Sequence, residues 1–154
     1  MPRFLASPRK ALIAIAPALA LLPGACEKAP PGPPAITSVS TFYPQPNQTI
    51  IIKGHGFGTH QPFNGDVPVF QISDKTTDWN AGNNRWSADL VTVDVSGWTD
   101  DEIDVRGFTG SYGGGWIFAP GDKVEIDVWN AQTGTTDPAA HGVFNTVVVG
   151  VPTP

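Results

Sequence analysis

The stretch "DKVEIDVWN", residues 122 to 130, places Val124, Ile126 and Val128 on one side of an extended chain and Lys123, Glu125, Asp127 and Trp129 on the other. A period of two belongs to a strand with one buried face and one wet face. Nowhere after the first 35 residues do apolar positions recur at i, i+3, i+4 and i+7 over three turns. Glycine and proline, 17 and 16 of 154 residues, interrupt every stretch, and β-branched and aromatic residues fill the intervals. The expected class is all-β.

Seven strands are predicted: residues 35–40, 49–54, 67–73, 89–95, 102–108, 122–130 and 142–150. "TIIIKG" reads as an apolar run fit for a buried strand. "VPVFQIS" alternates Val67, Val69 and Gln71 against Phe70 and Ile72, with Pro68 marking a strand start or edge. "DLVTVDV" and "EIDVRGF" set Val91, Val93, Val95 and Ile103, Val105 inward. "GVFNTVVVG" closes the domain with Val143, Val147 and Val149 among its apolar positions. Seven strands with turns between them imply a two-sheet sandwich, monomeric in this reading. Two connections, about 74–88 and 108–121, exceed what hairpins need.

The first 25 residues read as a signal peptide: a basic start (Arg3, Arg9, Lys10), the apolar run "ALIAIAPALALL", then small residues. That run is too short to span a bilayer. Cys26, the only cysteine, follows directly, so no disulfide staples the domain. "LLPGAC" resembles the lipobox of bacterial lipoproteins, which implies lipidation of Cys26, although Pro23 stands where that motif prefers leucine. The alternative is ordinary cleavage nearby. Residues 26–35 form a proline-rich tether, 36–150 the sandwich, and 151–154 a tail. Without the first 25 residues, six Lys/Arg face fourteen Asp/Glu, a net charge of about −8. Such a surface repels nucleic acid and anionic membrane, leaving the lipid anchor as the route to a membrane.

"ITSVSTFYPQPNQTIIIKGHGFG", "VDVSGWTDDEIDVRG" and "PGDKVEIDVWNAQTG" follow one another in an order that resembles the IPT/TIG domains. Members carry an opening strand of the type "I..V.P..G", a "tItIkGtGFg" strand, a later "v.sWsdtqItv.vp" and a final "g...V.V.n..G". The resemblance spans roughly residues 36 to 150. It implies an immunoglobulin-like sandwich in a cell-surface or extracellular protein, with the glycine pattern structural. "YPQPNQ" replaces the usual first-turn glycine, and the two long loops are extra.

"TIIIKGHGFGTH", residues 49 to 60, is not a phosphate loop. Neither "GxxxxGK[ST]" nor "GxGxxG" is present, and no helix follows. Its glycines are expected to supply positive φ or close approach, and Phe57 to plug the end of the sandwich. His55 and His60, with His141 far along the chain, are too few for a usual zinc site and read as exposed turn residues. Asp74, Asp78 and Asn80 in one turn, and Asp100, Asp101 and Glu102 in another, offer oxygen donors for calcium without the "DxDxDG" spacing. No cofactor is expected. No "GxSxG" elbow is present. A pair of glycosidase carboxylates among fourteen stays open as a third reading, that of a small extracellular hydrolase.

Five tryptophans carry the clearest hint of a ligand. Trp98 is expected to pack. Trp79, Asn80 and Trp86 share the first long loop, Tyr112 and Trp116 the second, and Trp129 lies on the polar side of its strand. Rings beside amides and carboxylates suit sugars; the same rings could instead close over the sandwich. The expected partner is a protein or a glycan at the cell surface.

Overall fold

A computed structural model describes residues 32–82, 91–110, 118–133 and 140–150. Cys26, the leader, most of the tether, Trp86, Tyr112, Trp116 and the tail lie outside these residues.

The described chain is all-β. Its strands are β1 (Ala35–Val39), β2 (Asn47–His55), β3 (Phe63–Gly65), β4 (Phe70–Asp74), β5 (Trp79–Ala81), β6 (Val91–Trp98), β7 (Glu102–Gly110), β8 (Lys123–Val128) and β9 (Gly142–Val147). They form antiparallel sheets in the orders β1-β2-β7-β6-β3 and β5-β4-β8-β9. Without the three-residue strands β3 and β5, strands 1, 2, 5 and 4 lie in one sheet and 3, 6 and 7 in the other. That is the constant-type immunoglobulin strand order. After β1, Phe42 makes a parallel bridge to Val148, so the opening segment touches both sheets.

Alternation builds the core. Ile50 and Ile52, Val93 and Val95, and Ile103 and Val105 turn inward from one sheet, and Phe70, Ile72, Val124, Ile126 and Val128 from the other. Aromatic clusters close both ends. At one, Phe42, Phe108 and Trp79 surround Phe118 with ring centroids 4.7–5.5 Å away. At the other, Trp98 meets Phe70 at 5.8 Å.

Phe57 is fully buried between Gly56 and Gly58, whose φ values are 77° and 70°. The glycines turn the chain so that this ring enters the core, as the sequence suggests. Backbone and side chains then lock the turn: Phe57 N–H donates to Asp100 O at 3.1 Å, Gly58 N–H to Asp100 Oδ1 at 2.9 Å, and the Trp98 indole N–H to Phe57 O at 3.2 Å.

Three expectations are corrected. "TIIIKG" is not buried on both faces: Ile51 points outward and is half-exposed. Pro68 precedes β4, which starts at Phe70. In β9 the phase is reversed. Val143, Val147 and Val149 are 45%, 50% and 38% exposed, while Val148 is buried and Phe144 is opposite Ile126. Directly paired residues share a face, so inward Ile126 fixes Phe144 inward.

Candidate functional site

The outer face of the four-stranded sheet gathers the polar side chains. Each strand sends its odd-numbered or even-numbered set outward according to its partner. Register then aligns them: Asn80 pairs with Ser73, Ser73 with Glu125, and Glu125 with Asn145. This is one row across four strands, about 4.8 Å per step. The next row runs Gln71, Asp127, Val143. Gln71 Nε2 donates to Ser73 Oγ at 2.6 Å, tying the two rows, and Lys75 Nζ donates to Glu125 Oε1 at 3.0 Å.

Asp127 stands out because it is covered although it points away from the core. His141 Nε2 lies 3.1 Å from its Oδ1. The imidazole also stacks on Trp129, with centroids 4.5 Å apart and planes 18° apart. Burial pushes the Asp127 carboxyl above the ordinary aspartate value. The Glu125 carboxylate adds to the rise, and His141 and Lys75 oppose it. With Asp127 ionised, Nε2 must carry the shared proton. In a serine-hydrolase triad the carboxylate holds Nδ1 and leaves Nε2 for the nucleophile. Here the carboxylate occupies Nε2, and Nδ1 is buried with no hydrogen-bond partner among the described residues. The pair therefore pins the return of the chain into β9.

Of the residues singled out from sequence, the structure brings Asn80 and Trp129 to this face. Trp79 points inward against Phe108, at 6.0 Å, and Phe118, at 4.7 Å. Trp129 continues the outer set of β8, but its ring is only 5% exposed because His141 covers it. Neither ring is a surface platform. The three remaining aromatics, Trp86, Tyr112 and Trp116, lie outside the described residues. The sequence reading missed Gln71, Ser73, His141 and Asn145 as parts of one surface. The outward phase of β8 was the available signal, since it placed Glu125 and Asp127 on the polar side.

The other candidates are engaged in the turns. Asp74 Oδ1 accepts from Thr76 and Thr77 N–H at 2.7 and 3.1 Å. Asp78 takes the left-handed φ of 59° that closes this turn, a conformation aspartate tolerates. Glu102 pairs with Lys53 at 3.4 Å, and Asp101 O accepts from Gly54 N–H. His55 is exposed, whereas His60 is half-buried and meets Phe63 and Trp98 at 5.1 and 5.6 Å. Among the described residues no three His, Cys, Asp or Glu side chains converge as metal ligands.

No protein-family model matches the chain, and no curated protein or solved structure is significantly similar to it.

Proposed function

We propose that this chain is an exported, lipid-anchored envelope protein whose IPT/TIG-type sandwich serves as a non-enzymatic binding or structural module. The observation that carries the module reading is the immunoglobulin strand order, which agrees with the order of the "KGHGFG" and "SGWTDDEI" elements in the sequence. The anchor reading rests on the basic start, the apolar run and Cys26 after "PGA". The binding face is the outer surface of the four-stranded sheet, where Asn80, Glu125 and Asn145 offer donors and acceptors in a row.

Membrane fractionation after labelling with a fatty-acid analogue tests the anchor. Label and membrane association should both disappear in Cys26→Ser; a labelled Cys26→Ser chain would remove the anchor from the reading. A surface partner should be captured by the wild type and lost in Asn80→Ala/Asn145→Ala with the fold intact by circular dichroism. Capture that survives in the double variant would move the binding face elsewhere.

The amide and carboxylate row also supports a second reading, a carbohydrate-binding module in which Trp86, Tyr112 and Trp116 supply ring stacking. A saturable tryptophan-fluorescence change with soluble polysaccharides, lost in Trp86→Ala and Trp116→Ala, is its expected mark. A flat titration across the panel would discard it.

A further inference from the structure

The indole of Trp129 already serves as a stacking platform, and a ring of this same chain occupies it. Continuing the β8–β9 ladder one step past Val128↔Gly142 sets Trp129 opposite His141. The imidazole lies on the indole with centroids 4.5 Å apart and planes 18° apart, and its Nε2 lies 3.1 Å from Asp127 Oδ1. A flat group with an N–H at its edge thus fills the space above the indole, and that N–H meets a carboxylate. His141 is the outermost layer: its side chain is 19% exposed, and Trp129 beneath it is buried.

Few contacts hold His141 there. Nε2 makes one hydrogen bond, and Nδ1 is buried without a hydrogen-bond partner among the described residues. Turning the imidazole outward about its own side-chain bonds loses the stack and that one bond. The same turn returns Nδ1 to water and relieves a buried, unsatisfied atom. The two effects oppose each other, so displacement costs less than the contacts alone suggest. The ladder from Lys123↔Val147 to Val128↔Gly142 does not have to move.

We propose that the space His141 fills is a binding site for an arginine side chain of a protein partner, which stacks on Trp129 and forks onto Asp127 once His141 turns out. This rests on the reading that the outer surface of the four-stranded sheet is the binding face, and it names the chemistry of the partner there. A guanidinium is planar, stacks on aromatic faces and presents paired N–H groups to a carboxylate. It therefore remakes both contacts of the imidazole and gives Asp127 two hydrogen bonds in place of one. Val143 pairs with Asp127 across the strands and is 45% exposed, so it offers apolar cover to the aliphatic stem of the arginine.

Charge selects a cation over a neutral ring. Burial and the Glu125 carboxylate push the Asp127 carboxyl up, while His141 and Lys75 pull it down without cancelling the rise. Negative charge at this site is thus short of compensation, and a guanidinium supplies it. Glu125 lies two residues before Asp127 on the same outward face and pairs with Lys75 at 3.0 Å. Beyond residue 25 the chain carries six Lys/Arg against fourteen Asp/Glu, a net charge of about −8 that draws basic partners toward it. A sugar ring would also stack on the indole, but it answers none of this charge.

The full chain is titrated with acetyl-arginine amide and read by proton NMR of the His141 ring and by tryptophan fluorescence. A ring stacked on indole feels its ring current, so displacement moves the His141 ring protons toward the positions of free histidine. Saturation is expected at about 1–10 mM, because His141 competes for the site. In His141→Ala the competitor is gone, and affinity should rise by at least about tenfold. Adding Asp127→Asn to that variant should lose about tenfold, and acetyl-lysine amide, a cation without the planar fork, should bind about tenfold more weakly than the arginine probe. Circular dichroism checks the fold of each variant, and if His141→Ala does not fold, the wild-type titration decides alone. Unmoved His141 ring protons in the wild type, with no binding to a folded His141→Ala, would overturn the proposal; so would equal affinity for the lysine probe. Displacement of His141 by a soluble polysaccharide and not by the arginine probe would replace arginine with sugar and leave the binding face standing. A partner captured through Asn80 and Asn145 whose capture is unchanged in Asp127→Asn would sink the arginine site alone.

Discussion

Gly107→Ala is expected to be strongly destabilising, and the reason is geometric. Gly107 sits in β7 at a φ of 135°, where the register slips against both β2 and β6. An added Cβ would overlap the Pro46 carbonyl oxygen and come within 3.2 Å of Asn47 Cα and Gln48 N. Those atoms are backbone and cannot swing aside. The same Pro46 oxygen accepts from Phe108 N–H at 3.0 Å, so relieving the overlap breaks that bond. A residue other than glycine in this region costs about 1–3 kcal/mol, and the lost bond about 1 kcal/mol. The sum is about 2–4 kcal/mol, out of a stability of about 5–15 kcal/mol for a domain of this size. At about 4 °C per kcal/mol, Tm should fall by about 8–16 °C. Gly121→Ala is the comparator. Its φ is 96°, but no heavy atom lies within 4 Å of the added Cβ, so only the backbone term applies. Urea titration of both variants, read by circular dichroism, separates the terms. If Gly107→Ala is no more damaging than Gly121→Ala, close approach is not what holds this bulge.

Phe57→Ala removes the fully buried ring that closes one end of the sandwich and should cost about 3–5 kcal/mol in urea titration; a loss under about 1 kcal/mol would mean the end collapses without it. Asp127→Asn should raise Tm near neutral pH. Burial lifts the folded carboxyl above its unfolded value, so the folded chain binds that proton more tightly. The stabilising contribution is present below about pH 4 and lost as pH rises through the raised value. The gain from asparagine should therefore shrink as pH falls toward about 4, and a gain that grows on acidification would reverse the reasoning. Lys75→Gln, which removes a pair to Glu125 with half of the lysine side chain exposed, should change stability by less than about 1 kcal/mol in the same titration. A larger loss would mean that the pair organises the sheet surface.

Seven of the nine strands among the described residues were legible because period two is a local signal. Val124, Ile126 and Val128 announce their face without reference to any other strand. The two that were missed, β3 and β5, hold three residues each, too few to show a period. They exist because a partner edge lies beside them: Phe63 to Gly65 follow Val95 to Val93, and Trp79 to Ala81 follow Asp74 to Ile72. The β9 phase failed for a related reason. "VVV" at 147 to 149 is apolar in either phase, so only pairing with Ile126 decides which side is inward. For Trp129 the alternation gave the correct side, but a period cannot say what lies on top. His141, twelve residues later, arrives there by a return of the chain.

The candidate face was illegible for a deeper reason. Asn80, Ser73, Glu125 and Asn145 are adjacent in space, yet no two of them share a strand. Their alignment depends on three independent registers, and a slip of one residue in any of them would turn that strand's polar set toward the core. What prevents the slip is the opposite face. Ile72, Ile126 and Phe144 lie in one inward row, each directly opposite the next. Moving β9 by one residue would bring Asn145 inward against Ile126 and expose Phe144, burying an amide with no partner at a cost of about 1–3 kcal/mol. The apolar row thus sets the polar row behind it. A substitution such as Phe144→Asn should therefore disturb the outer face without touching any residue on it, by loosening the register that holds Asn145 beside Glu125.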